Sequence, residues 1–254
     1  MPNAGANLVL ALPTDCIYKK TSGAIPQIFN SQFSLFNLGG HSPPYDYFNR
    51  KIFMHISEGV LSAQVLISGG VLAAAGTAVG LKQLDYDRIA QVGMLSAAFF
   101  VASLIHVNIG PSSVHLLLNG IVGLLLGWAA FPALLVALAL QAVFFQFGGI
   151  TVLGINTVIM ALPAVVCYYL FGSLLYKKSA VAMAGAFACG FTAVFLSAIL
   201  LGVSLICTEQ NFWEVSSLVV MAHIPVMVIE GIITAFCVAF LKKVQPEMLP
   251  GFFK

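Results

Sequence analysis

Charge is what this chain has least of. Asp, Glu, Lys and Arg together make up 8% of its 254 residues, where a soluble domain carries roughly 25%. So few charges cannot cover a water-facing surface of that size, and lipid must cover it instead. The formal net charge of +2 gives no basis for a nucleic-acid partner. Cysteine is scarce too. Cys16, Cys167, Cys189, Cys207 and Cys237 form no C-x-x-C pair, and four of them sit in or beside apolar runs, where a free thiol behaves as a small hydrophobe. That speaks against a disulfide framework. There is no G-x-x-x-x-G-K-[ST] loop, so ATP cannot be held in the P-loop manner. Any active transport must draw its energy from partner proteins.

What the chain does have is apolar sequence. Hydrophobic residues reach 60% and the mean hydropathy is +0.99. The distribution divides the chain at Phe53. Residues 1–53 are polar, rich in Pro, Asn, Ser and Gly, with one short apolar stretch, Ala6–Leu12. That stretch is followed by Pro13, Asp15, Lys19 and Lys20, and no A-x-A site precedes Met54, so a secretory signal is not expected. Residues 1–53 read as a disordered extension or a mis-assigned start. Residues 54–254 read as a transmembrane domain.

A bilayer-crossing helix needs about 20 mainly apolar residues. The expected spans are Val60–Leu81, Ile89–Val107, His115–Trp128, Pro132–Phe147, Gly154–Tyr176, Ala180–Ile206 and Val215–Leu241. Pro132 divides what would otherwise be one overlong run, because proline removes a backbone donor and clashes with the preceding turn. The expected architecture is an all-α, polytopic membrane bundle of about seven helices. In that scheme Lys82, Arg88, Lys177, Lys178, Lys242, Lys243 and Lys254 fall on one side, which the positive-inside rule makes cytoplasmic. Loops 108–114, 148–153 and 207–213 then face outside. Lys19, Lys20, Arg50 and Lys51 would fall on the wrong side, a second mark against residues 1–53.

Five histidines are present: His41, His55, His106, His115 and His223. His55, His106 and His115 lie at the expected outer ends of spans. Imidazole is the commonest side-chain ligand of borderline transition metals, so three on one aqueous face could hold one. Each could equally be a polar anchor at the membrane boundary, and spacing favours that role for His106.

The sequence around His55 and His115 adds to this. Met54-His-Ile-Ser-Glu-Gly59, Gly110-Pro-Ser-Ser-Val-His115 running into Asn119–Gly127, Gly148-Gly-Ile-Thr-Val-Leu-Gly-Ile-Asn-Thr157, and Ala222–Thr234 followed by Lys242–Leu249 occur in series. These stretches resemble the CbiM/NikM family, the substrate-binding membrane components of energy-coupling-factor cobalt and nickel transporters. The resemblance spans residues 54–249 and leaves out 1–53. It implies a transporter component and not an enzyme, with cobalt(II) or nickel(II) as cargo and no catalytic cofactor. It also implies a coupling transmembrane subunit, two cytoplasmic ATPase subunits and a small accessory membrane subunit as partners.

The resemblance further implies a near-planar, nitrogen-rich site. Its ligands would be the free amine of Met54, the backbone nitrogen and imidazole of His55, and the imidazole of His115. Amine and adjacent amide make a five-membered chelate, the imidazole closes a second ring, and nickel(II) favours such tetragonal nitrogen coordination. The chain is therefore expected to function from Met54 with an unblocked amine.

Within the seventh span His223 and Glu230 are seven residues apart and share a face. Ionisable groups at membrane depth are functional candidates by default, but a helix contact is the favoured expectation here. Asn156 is a candidate to hydrogen-bond the metal-site loop from behind the ligands. The small residues Gly69, Gly70, Ala73, Ala74, Gly76, Ala78 and Gly80 suit close helix approach, within the bundle or against a coupling subunit. The competing class is a membrane redox protein with histidine-held haem. Haem usually needs histidines paired at matching depth, and His223 has no such partner in the sequence.

Overall fold

The computed structural model describes Gly59 and residues 61–109, 112–208 and 213–249, with side chains except at 106–115, 213–215 and 218. In order, the described residues form α1 (Ala63–Lys82), α2 (Ile89–Ser103), β1 (His106–Ile109), β2 (Ser112–His115), α3 (Asn119–Leu126), α4 (Ala130–Phe145), α5 (Leu153–Phe171), α6 (Ser179–Ile206), α7 (Trp213–Ala222) and α8 (Ile224–Val244). This is a helical membrane bundle carrying one short antiparallel hairpin. Among the described residues, five helical stretches are long and apolar enough to cross a bilayer: Ala63–Lys82, Asn119–Phe145, Leu153–Tyr176, Ser179–Ile206 and Ile224–Val244.

The stretch Asn119–Phe145 is not one straight crossing. Gly127 adopts φ 56° and ψ −124°, a conformation that glycine enters without Cβ strain, and the chain reverses there. The neighbours on each side show the reversal. Leu125, near the end of α3, accepts a hydrogen bond from Arg88 at the start of α2. Ser96 of α2 then donates to Ala133 of α4, and Phe100 of α2 packs on Phe145 at the far end of α4. So α4 runs alongside α2 and away from the end where α3 finishes. The break expected near Pro132 is real, and Gly127 makes the turn.

Three expected boundaries are corrected. The second span ends at Ser103 rather than Val107, and the third helix begins at Asn119 rather than His115. Between them lie β1 and β2. The reason is visible in Ile105-His-Val-Asn-Ile109, which alternates apolar and polar residues with the period of a strand. Leu118 has φ 49°, a left-handed conformation that a helix cannot contain, so α3 starts after it. The seventh span is broken at His223 into α7 and α8. Pro225 sits in the first turn of α8, where its missing N–H and its ring interrupt a continuous helix.

Burial orders the bundle from centre to edge. In the most apolar window of Asn119–Phe145, 83% of residues are buried, against 22% for α1, so α3 and α4 form the centre and α1 the periphery. The buried face of α1 is its small-residue face: Gly69, Ala73, Gly76 and Gly80. A methyl group at Gly76 would lie 2.4 Å from the Phe131 ring, and one at Gly80 would lie 2.4 Å from the Trp128 carbonyl. That face packs within the bundle, whereas Gly70, Ala74 and Ala78 of the same small-residue run are exposed. Ile67, Val71, Leu72 and Leu81 of the same helix point away and are exposed.

One end of the bundle gathers the basic residues. Arg88 donates from Nη2 to the Leu125 carbonyl at 2.7 Å. Lys242 donates from Nζ to the carbonyls of Leu175 at 2.8 Å and Lys177 at 3.2 Å. Gln91 reaches the Met248 carbonyl, and Leu125, Leu175 and Leu249 share one apolar cluster. Cations on the last carbonyls of helices are favourable there. At the other end the Ser62 N–H meets Thr208, and Leu61 packs with Val152, Leu205 and Val219. The hairpin leaves α2 on this second side, away from Arg88.

Candidate metal centre

Of the three expected metal ligands, Met54 and His55 lie outside the described residues, and His115 is described by its backbone. That backbone is informative. β1 and β2 pair antiparallel with the register His106↔His115, Val107↔Val114, Asn108↔Ser113 and Ile109↔Ser112. His106 is therefore the direct partner of His115 across the hairpin. Directly opposed positions are the closest inter-strand neighbours a sheet offers. Nine positions separate these two residues in the sequence, where both are expected at the ends of helices, so spacing gives no hint of the pairing.

The segment that leaves His115 is held by a side chain from the neighbouring helix α8. Glu230 of α8 is fully buried, and its Oε1 accepts hydrogen bonds from the backbone N–H groups of both Leu117 and Leu118. The Leu118 bond is 2.9 Å, and Oε2 of the same carboxyl group lies 3.1 Å from that nitrogen. Two consecutive N–H groups ahead of a helix lack partners within the chain's own secondary structure, and here a side chain 112 or more positions away supplies them. The helix contact expected for Glu230 thus has its partner in the link between β2 and α3.

Adjacent residues reinforce this arrangement. Asn119 donates from Nδ2 to Ser197 Oγ at 2.9 Å, tying the start of α3 to α6. Gly120 lies against Gly190 of α6, and Gly190 lies against the Glu230 carbonyl. Three helices meet here at backbone contact distance. His223 is buried with its Nδ1 against the Val219 carbonyl. Its Nε2 has no hydrogen-bond partner among the described residues, and it lines a small cavity with Ile159, Met160, Ser197, Ala198 and Leu201. Asn156 is buried near the start of α5.

Comparison with known proteins agrees with this architecture. Residues 55–248 match the family model CbiM, described as the cobalt uptake substrate-specific transmembrane region. A protein of Haemophilus influenzae named for metal transport is 43% identical over 203 residues, covering 77% of this chain and 97% of its own. A fused nickel transport protein, NikMN, of Rhodobacter capsulatus is 31% identical over 223 residues, covering 77% of this chain and 64% of that one. The crystal structure of a truncated transition metal transporter superposes with a TM-score of 0.61 at 27% identity, over 74% of this chain and 98% of that chain. The family match sets aside the haem alternative. With a helical bundle of this order and a match over most of its length, the chain belongs to the CbiM family of cobalt- and nickel-transport membrane proteins.

Proposed function

We propose that this chain is the substrate-binding membrane component of an ATP-driven energy-coupling-factor uptake system for cobalt(II), with nickel(II) as the alternative cargo. The metal is held by the amine of Met54, the amide nitrogen and imidazole of His55, and the imidazole of His115. Its partners are a coupling transmembrane subunit, two cytoplasmic ATPase subunits and a small accessory membrane subunit. The protein is multi-pass in the cell membrane, with the metal site facing outside and the C-terminus in the cytoplasm.

The observation that carries this reading is the place of His115. It closes a paired hairpin on the side of the bundle away from Lys82, Arg88, Lys177, Lys178, Lys242 and Lys243, which suits capture of a cation from outside. The family match beginning at His55 supports Met54 as the residue that supplies the amine. The nitrogen donors suit cobalt(II) and nickel(II) over the oxygen-seeking magnesium and calcium.

Calorimetric titration of the native protein with cobalt(II) and nickel(II) tests the site. Changing a residue that only orients a ligand typically costs about 10–100-fold, so losing a ligand outright in His115→Ala should weaken binding by more than about 100-fold. Binding of both metals at undiminished affinity would remove His115 from the site.

A further inference from the structure

We infer that Glu230 is a positioning residue for the metal site: its buried carboxyl group fixes the backbone just after His115 and so sets where that histidine stands. The inference rests on the proposed role of His115 and goes beyond it, because Glu230 is not itself one of the proposed ligands.

The geometry is specific. Glu230 is fully buried in α8, and both oxygens of its carboxyl group are directed at the link between β2 and α3. Leu117 and Leu118, whose N–H groups it receives, are the second and third residues after His115. Leu118 is left-handed, with φ 49°. A non-glycine residue in that region persists where its surroundings hold it, and the carboxyl group contacts that very peptide. The hairpin end is thus tied at one side by the His106↔His115 pair and at the other by Glu230. A two-stranded hairpin is marginal alone, so the second tie is what gives its last residue a defined position.

A general packing role does not account for this. Packing on α6 is already supplied along α8 by Gly231 against Phe187 and by Gly190 against Thr234 and the Glu230 backbone. An apolar side chain would serve a packing role without the desolvation cost of a carboxyl group. What an apolar residue cannot do is accept two consecutive N–H groups of a non-helical link. Those groups would be left without partners inside the bundle, where Leu117 is fully buried and Leu118 half-buried. Metal sites gain affinity from outer residues that orient the ligands. Here that orientation comes through the main chain.

The test uses the native protein purified from membranes, with Glu230→Gln, Glu230→Asp, Thr234→Val and His115→Ala beside the wild type. Nickel(II) affinity is read by calorimetry, the ligand-field band of bound nickel by absorbance, and thermal stability in the metal-free form. Glu230→Gln keeps the shape but replaces one acceptor with a donor facing an N–H. Glu230→Asp keeps the charge but falls short of the link. Both should weaken nickel binding by about ten- to hundredfold and shift the band, since the His115 nitrogen moves relative to the metal. Thr234→Val, one turn further along α8, removes a hydroxyl without a partner among the described residues and should change neither reading. Unchanged affinity and band in both Glu230 variants would overturn the inference. So would loss of folding in both, which would make Glu230 a stability residue alone. If His115→Ala itself retains affinity, the metal-site proposal falls. If it loses affinity while the Glu230 variants do not, the positioning role alone falls.

Discussion

Gly190→Ala should loosen the bundle and the metal site together. Gly190 lies where α3, α6 and α8 meet. A Cβ there would stand 2.5 Å from Thr234 Oγ1 and 2.6 Å from the Glu230 carbonyl oxygen. Ordinary van der Waals contact begins near 3.4 Å, so relief requires a separation of roughly 1 Å between α6 and α8. Backbone atoms cannot rotate away as a side-chain tip can. Overpacking of this kind costs typically 1–3 kcal/mol. At about 2–4 °C per kcal/mol for a chain of this size, the thermal midpoint in detergent should fall by roughly 2–12 °C. The displacement would also draw Glu230 away from Leu117 and Leu118, so nickel affinity should fall in the same variant. Gly93→Ala in α2 is the control, because a Cβ there meets nothing within 4 Å. A Gly190→Ala protein that melts and binds metal as the wild type does would refute the close-crossing argument.

Four other outcomes are expected. His106→Ala should weaken nickel binding less than His115→Ala in the same titration, since His106 is the register partner of His115 and not one of the proposed ligands; an equal loss would make His106 a ligand. Metal affinity should rise with pH through about 7.7–8.0, because binding displaces the proton of a free α-amino group. N-terminal sequencing should show Met54 first, and a native protein that retains residues upstream and still binds tightly would defeat the amine-anchored site. With native cysteines removed, an impermeant thiol reagent applied to intact cells should label Gln210→Cys and spare Tyr86→Cys; the reverse pattern would invert the topology.

Much of the fold could be read along the chain because a bilayer tests local composition. Any run of about 20 apolar residues satisfies its backbone within itself. Val60–Leu81 and Gly154–Tyr176 therefore announced α1 and α5 without reference to neighbours. The basic residues at Lys82, Arg88, Lys177, Lys178, Lys242 and Lys243 ordered the spans, and the structure brings them to one end, where Arg88 and Lys242 satisfy helix-end carbonyls. His115 was legible only through motif resemblance, since a histidine at a span boundary is by itself ambiguous.

The errors fell where local pattern and tertiary pairing compete. Ile105–Ile109 is apolar enough to extend a helix in a hydropathy window, yet its alternation matches a strand, and the partner that decides between them is β2. The break at His223 was masked because the residues on both sides of it, from Val215 to Leu241, are predominantly apolar. The function of α1's small-residue face was likewise open until Phe131 and Trp128 were found against it.

By itself, the sequence determined the membrane as solvent, the order of the main apolar helices, the clustering of positive charge and the candidate ligands, because these depend on composition within one segment. The tertiary structure alone decided that His106 opposes His115, that Gly190 lets three helices meet, and that Glu230 closes on Leu117 and Leu118. Each of those joins residues distant in the chain through backbone groups. Every residue carries the same backbone groups, so the sequence does not mark which of them a distant side chain will hold.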